Sequence, residues 1–153
     1  MKNDRYSKLR ILLKSGEWRE ADGETTQLIL QIAGMEDQKF LEPYDIKIFP
    51  CEDLLTIDRL WGEASSSHFG FSVQKKIWEQ FGSPVSYDDD YKKFIKAVGW
   101  QSGDDFVSYS DFKFSISRSL IGELPSLYRF SVFSFLAQRL INCGTKGIEN
   151  EEC

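Results

Sequence analysis

The side chains that could do chemistry in this sequence are few and scattered. His68 is the only histidine, and no cysteine or carboxylate stands near Phe69 and Gly70 at the spacing a metal site needs, so it reads as a surface or capping residue. Asp53 and Asp58 could serve as an acid and a base. Five positions apart on a helix, however, they point in different directions, and dipole compensation and solvation account for them better. Cys51 follows Pro50 at an expected helix start, where the dipole lowers a thiol pKa. With no histidine near it in sequence, it reads as a small buried apolar residue. Cys51, Cys143 and Cys153 show neither metal-ligand spacing nor a pairing pattern, and an odd number argues against a disulfide framework, which suits a reducing compartment. Gly70 and Gly122 are isolated and read as turn residues, not as a phosphate-cradling loop. The sequence therefore predicts no catalytic residue, no metal site and no enzyme.

Aromatic surface, by contrast, is abundant: 12 Phe, 6 Tyr and 4 Trp in 153 residues. A chain of this length suits one domain with a real core. The net charge of -5, without a clustered basic face, gives no electrostatic reason to expect nucleic acid. The acids of Asp88, Asp89 and Asp90 read as a turn. Those from Glu149 to Glu152 read as a solvated tail, dividing the chain into a helical domain over 1–144 and an acidic tail over 145–153. No apolar run approaches a membrane span, and the opening MKNDRYSKLR lacks a signal-peptide core, so a bacterial cytoplasm or a plastid stroma is expected.

The elements that must position these rings are mostly helices. Leu9, Leu12 and Leu13 mark a first, ending near Gly16. A second starts near Trp18, carries Ala21, Thr25, Leu28, Ile29 and Ile32 on one side, and stops at Gly34. Pro43 interrupts a polar segment, and Pro50 opens a third helix with Glu52 and Asp53 in its first turn. Leu54, Ile57, Leu60 and Trp61 form its buried stripe. Val73, Ile77, Trp78 and Phe81 repeat the pattern in a fourth, capped by Ser72 and stopped at Gly82 to Pro84. Tyr91, Phe94, Ile95 and Val98 give a fifth, ending at Gly99. Phe112, Phe114 and Ile116 alternate as in a short strand or extended segment. Leu127, Phe130, Phe133 and Leu140 predict a last helix up to Gly144.

Rings at element ends and in irregular segments meet ligands more often than rings on helical stripes. Ile46, Phe49, Phe71, Phe106, Tyr109, Phe112 and Phe114 are of that kind and could line a concave apolar pocket, although a small domain also needs loop aromatics to cover its core. The runs IKIFPCEDLLTIDRLW from Ile46, FGFSVQKKIW from Phe69, FVSYSDFKFS from Phe106 and IGELP from Ile121 resemble the genomes-uncoupled-four family. Its members are tetrapyrrole-binding regulators of magnesium chelatase. The resemblance runs from about Tyr6 to Pro125.

That resemblance implies an all-α, compact single domain of the cupped-hand type, with an apolar groove and a mobile loop. Its ligand would be protoporphyrin IX or magnesium protoporphyrin IX, with no covalent cofactor, and chelatase would be stimulated through its porphyrin-binding subunit in chlorophyll biosynthesis. The palm would include Ile46, Phe71, Tyr109 and Phe112, joined by Phe106 and Phe114. The loop from Ser117 to Ser126 would be a lid bringing Leu120 and Leu124 onto the macrocycle. Arg129, or Arg118, would hold the propionates, while Glu123 stands where the family usually has His. A monomer is expected, and peripheral membrane association stays open. The alternative is a divergent paralogue acting as a sensory or protein-interaction module, binding a bilin or no tetrapyrrole.

Overall fold

The computed structural model describes residues 4–38, 41–127 and 133–152, with side chains of the final helix described as far as Gly144. The first two helices, α1 (Ser7–Lys14) and α2 (Trp18–Ala33), form a hairpin. Leu9 and Leu13 of α1 are buried, as are Trp18, Ala21, Thr25, Leu28 and Ile29 of α2. Gly34 closes α2 in the left-handed conformation, where an L side chain would be strained.

Next comes a short helix that periodicity does not reveal, α3 (Pro43–Lys47). Pro43 begins it instead of merely interrupting the segment, because a missing N–H costs nothing in a first turn. Glu42 and Asp45 close a capping box, with the Glu42 amide donating to Asp45 Oδ2 at 2.9 Å. The next helix, α4 (Cys51–Ser65), is the central one. Leu54, Ile57 and Trp61 are almost wholly buried. Trp61 Nε1 donates to Thr25 Oγ1 at 2.8 Å, and Thr25 in turn donates to the Ala21 carbonyl at 2.8 Å, so a ring too polar at one edge to be buried alone is satisfied by α2.

Helix α5 (Phe71–Gln80) begins two residues earlier than Ser72 capping would place it. Its cap comes from α4: Asp58 accepts the Ser72 amide at 2.8 Å and also the Ser72 hydroxyl. Burial pushes the Asp58 carboxyl above its ordinary pKa, against the lowering effect of these bonds. Asp53 instead accepts the Tyr6 hydroxyl and lies 3.5 Å from Arg5. The two aspartates thus serve separate structural contacts. Helix α6 (Asp89–Ala97) is capped by Asp88, which accepts the Tyr91 amide at 2.9 Å.

After α6 the stretch over Phe112, Phe114 and Ile116, expected as a short strand or extended segment, forms no strand, and Phe112 is extended. The paired residues are earlier, in a small antiparallel hairpin of β1 (Gln101–Ser102) and β2 (Asp105–Phe106). A 3-10 turn over Tyr109–Asp111 follows, and Phe114 takes a positive φ of 48°, which no strand tolerates. The final helix, α7 (Ser134–Glu152), starts after Leu127 and runs through Gly144, where a stop was expected. Phe130 lies outside the described residues. Rings from separate elements meet in one core: Trp18, Trp61 and Phe69 on one side, and Trp78, Phe94, Trp100 and Phe133 on the other. Among the described residues no helix is long and apolar enough to cross a membrane.

The cysteines depart from the sequence reading. Cys51 and Cys143 are joined as a disulfide, with Cα atoms 5.3 Å apart and a separation of 92 positions in sequence. Local spacing cannot reveal such a pair, because only the packing of α7 on α4 brings the two ends together.

Candidate functional site

The irregular segment between β2 and Leu127 gathers most of the features that could meet a ligand. Tyr109, Phe112 and Phe114 form a triangle of rings with centroids 5.1 to 5.9 Å apart. Helix α2 supports this cluster. Tyr109 donates its hydroxyl to Asp22 at 2.8 Å, and the Arg19 guanidinium sits over Tyr109 and Phe114 at 5.7 and 5.6 Å. Asp22 is buried and also accepts the Ser126 amide at 2.8 Å and the Ser126 hydroxyl at 2.5 Å. One carboxylate therefore clasps the segment near both of its ends.

Between this segment, the C-terminus of α6 and the hairpin lies an open groove of about 640 Å³. Phe106, Val107 and Leu120 give it apolar walls, and its charged lining is mixed, with Lys96, Lys113 and Arg118 beside Asp105 and Asp111. Glu123 lines it as well but is only 4% exposed. Its carboxylate accepts the Ser119 hydroxyl at 2.7 Å and the backbone amides of Lys113 and Phe114. Burial raises its pKa from the ordinary carboxylate value, opposed by those bonds and assisted by Asp22. Glu123 thus organises the wall.

The expected lid is anchored. The Gly122 amide donates to the His68 carbonyl at 2.8 Å, and His68 Nε2 lies 2.8 Å from the Ser119 carbonyl. Gln74 Nε2 donates to the carbonyls of Gly122 and Pro125 at 3.0 and 2.8 Å. The Gly70 amide and Trp100 Nε1 take the carbonyls of Leu124 and Glu123, at 3.0 and 2.9 Å. The loop is buried from Gly122 to Ser126, and its exposed part includes Ser117, Arg118 and the tip, where Leu120 and Ile121 are each 53% exposed. His68, read from sequence as a surface or capping residue, is a brace for this loop.

The sequence-predicted site residues accordingly separate. Phe106 and Leu120 share the groove, and half-buried Tyr109 and Phe114 stand in the adjoining cluster. Ile46, Phe71, Phe112 and Leu124 are core residues, and Phe71 has no exposed surface to offer a ligand. The expectation that its ring faces a groove is corrected: Gly70 and Asp58 set the start of α5 so that this first residue turns inward. Arg129 lies outside the described residues. Sequence reasoning missed Asp22, Arg19, Lys96, Lys113 and Gln74. A signal for Asp22 did exist, since it falls four residues after Trp18 and three before Thr25, a carboxylate inside an apolar stripe. Among the described residues no group of His, Cys, Asp and Glu gathers to hold a metal ion.

Comparison with known proteins places this arrangement. A family model described as GUN4-like matches residues 1–140. The chain belongs to the GUN4-like family. This GUN4-like chain is 38% identical over 98 residues to ycf53 of Pyropia yezoensis, a match covering 63% of the chain and 39% of that relative. It is 32% identical over 124 residues to the chloroplastic tetrapyrrole-binding protein of Arabidopsis thaliana, covering 74% of the chain and 44% of that protein. The chain thus spans less than half the length of these curated relatives. Its helical fold is that of the ligand-free structure of Arabidopsis thaliana GUN4, with a TM-score of 0.73 and 26% identity over 92% of this chain and 93% of that one.

Proposed function

We propose that this GUN4-like chain is a non-enzymatic tetrapyrrole-binding protein. The reading rests on one conjunction: a groove with apolar walls and three cations, in a family that has a relative named for tetrapyrrole binding. Phe106 and Leu120 take a macrocycle face, with Tyr109 and Phe114 behind the loop, and Lys96, Lys113 and Arg118 take the propionates. Arg129 is kept as a further propionate candidate. The ligand is protoporphyrin IX or its magnesium form, whose flat apolar faces and anionic edge match such walls. In the whole protein the role is to present that ligand to the porphyrin-binding subunit of magnesium chelatase, in a plastid or a cyanobacterial cytoplasm.

Titration with protoporphyrin IX, followed by quenching of tryptophan fluorescence, tests this. Quenching should saturate, and Arg118→Glu should weaken binding roughly tenfold or more while leaving an esterified porphyrin little affected. Unsaturable quenching refutes tetrapyrrole binding and leaves the fold as an interaction module. Equal losses for acid and ester refute the propionate contact alone.

A further inference from the structure

We propose that Cys51 and Cys143 form a reversible thiol–disulfide exchange site, through which a dithiol reductant governs the docking of α7 on α4. The two cysteines sit 92 residues apart in sequence with Cα atoms 5.3 Å apart, so the bond closes the chain from α4 to α7 into a ring and leaves α1, α2 and α3 outside it. It belongs to a two-point clamp. Arg139, one turn before Cys143 on α7, donates its Nε to the Phe49 carbonyl at 2.9 Å, beside Pro50 and Cys51. Helix α7 packs on α3 as well as α4, so the clamp holds the connection between those two helices against the end of the chain.

Exposure decides where exchange begins. Cys143 is 1% exposed, whereas Cys51 is only partly buried and stands at the first residue of α4. A thiolate of the reductant attacks the Cys51 sulfur, the bond to Cys143 breaks, and the Cys143 sulfur leaves with the electron pair and takes a proton. The second thiol of the reductant, as thiolate, then attacks its own sulfur in the mixed disulfide. Cys51 leaves as a thiolate, a form favoured by the N-terminal end of α4, and takes up a proton from solvent. The reductant ends as a disulfide and the protein as two thiols, for a net transfer of two electrons and two protons. Oxidation runs the steps backwards.

The core rings do not depend on the bond. Phe133, Leu136 and Ala137 bury the start of α7, so reduction should loosen the helix from Gln138 onward and leave the domain folded. A cross-link over so long a loop restricts the unfolded chain strongly, and its loss should lower Tm by roughly 10 °C.

The test uses the full chain equilibrated in mixtures of reduced and oxidised dithiothreitol, alkylated and mapped by mass spectrometry, with Tm and hydrogen exchange measured on both forms. Cys51 and Cys143 should gain and lose reactivity together in one two-electron transition. Reduction should lower Tm and speed amide exchange across 138–144 about tenfold or more, with α1 unchanged. Cys51→Ser should remove the response of Tm to the reductant, and Cys153→Ser should keep it. The proposal is overturned if both thiols stay alkylatable under oxidising conditions, if the bond resists dithiothreitol in the folded protein, or if reduction changes neither Tm nor the exchange of α7. Should Cys51→Ser fail to fold, reduction of the unaltered chain decides the matter alone.

Discussion

Gly122→Ala asks most directly whether the loop before Ser126 is a brace or a lid. Gly122 has a φ of +88°, and a Cβ built there would meet Ile77 Cδ1 and Val98 Cγ1, each at 3.0 Å. Holding alanine in that backbone region costs about 1–2 kcal/mol. Forcing a methyl between two packed side chains costs about 1–3 kcal/mol more. The sum, roughly 2–5 kcal/mol, corresponds to a fall in Tm of about 5–15 °C for a domain of this size. Gly16→Ala is the control, because its φ of +72° imposes the same backbone cost while nothing lies within 4 Å of the added Cβ. Urea denaturation of both variants should show Gly122→Ala as the more costly by about 1–3 kcal/mol, with unchanged m-values. Equal costs would refute the reasoning, since the loop would then move away from Ile77 and Val98 almost freely. Amide exchange at Gly122 and Glu123 in the free protein should likewise be slow, because these N–H groups donate to the His68 and Leu120 carbonyls.

Phe71→Ala should cost about 3–5 kcal/mol, whereas Phe106→Ala, at a site 43% exposed, should cost little and weaken porphyrin binding instead; urea melts and quenching titrations separate the two, and the opposite pattern would move the site. Asp22→Asn should destabilise by about 2 kcal/mol or more, since one acceptor for Tyr109 and Ser126 becomes a donor, and a change within about 0.5 kcal/mol would show that the clasp is unimportant. Burial raises the pKa of Glu123 in the fold, so its favourable contribution is complete below the unfolded carboxyl pKa and is lost as pH rises through the raised folded value. Tm measured from about pH 4 to about pH 8 should therefore fall relative to that of Glu123→Gln as pH increases, and a constant difference would contradict the assignment.

The helices were legible wherever a stripe had to be buried. Leu54, Ile57 and Trp61, like Tyr91, Phe94 and Ile95, follow a helical period because one face of each helix meets the core. Periodicity cannot speak for the stretch from Gln101 to Leu127. Its conformation is set from elsewhere, by Asp22 on α2, Gln74 on α5 and the Trp100 indole. Alternating apolar residues there suggested a strand, yet Phe112 and Phe114 both lean on Tyr109 through a turn and a left-handed residue. The same limit explains the cysteines and His68, whose partners lie 92 and 51 residues away. Motif resemblance went further than periodicity because it carries the family's fold whole. It could not say which side chains of the resembling motifs point outward: Phe71 and Leu124 do not, while Phe106 and Leu120 do.

A braced loop changes the expected energetics of ligand capture. A lid that orders on binding spends part of the interaction free energy on its own conformational entropy, about 1–2 kcal/mol per fixed residue. Here the backbone of Gly122, Glu123, Leu124 and Pro125 is already bonded to Gln74, Gly70, Trp100 and His68, so that cost is confined to the tip. Leu120 and Ile121 carry the exposed apolar surface of that tip, and Leu120 also lines the groove, while Lys113 and Arg118 sit earlier in the same segment. Glu123 ties the Lys113 and Ser119 parts of the segment together from below. The part of the groove that carries Lys113, Arg118 and Leu120 is therefore held by one buried carboxyl group, and a flat anionic ligand would meet a surface formed largely before it arrives.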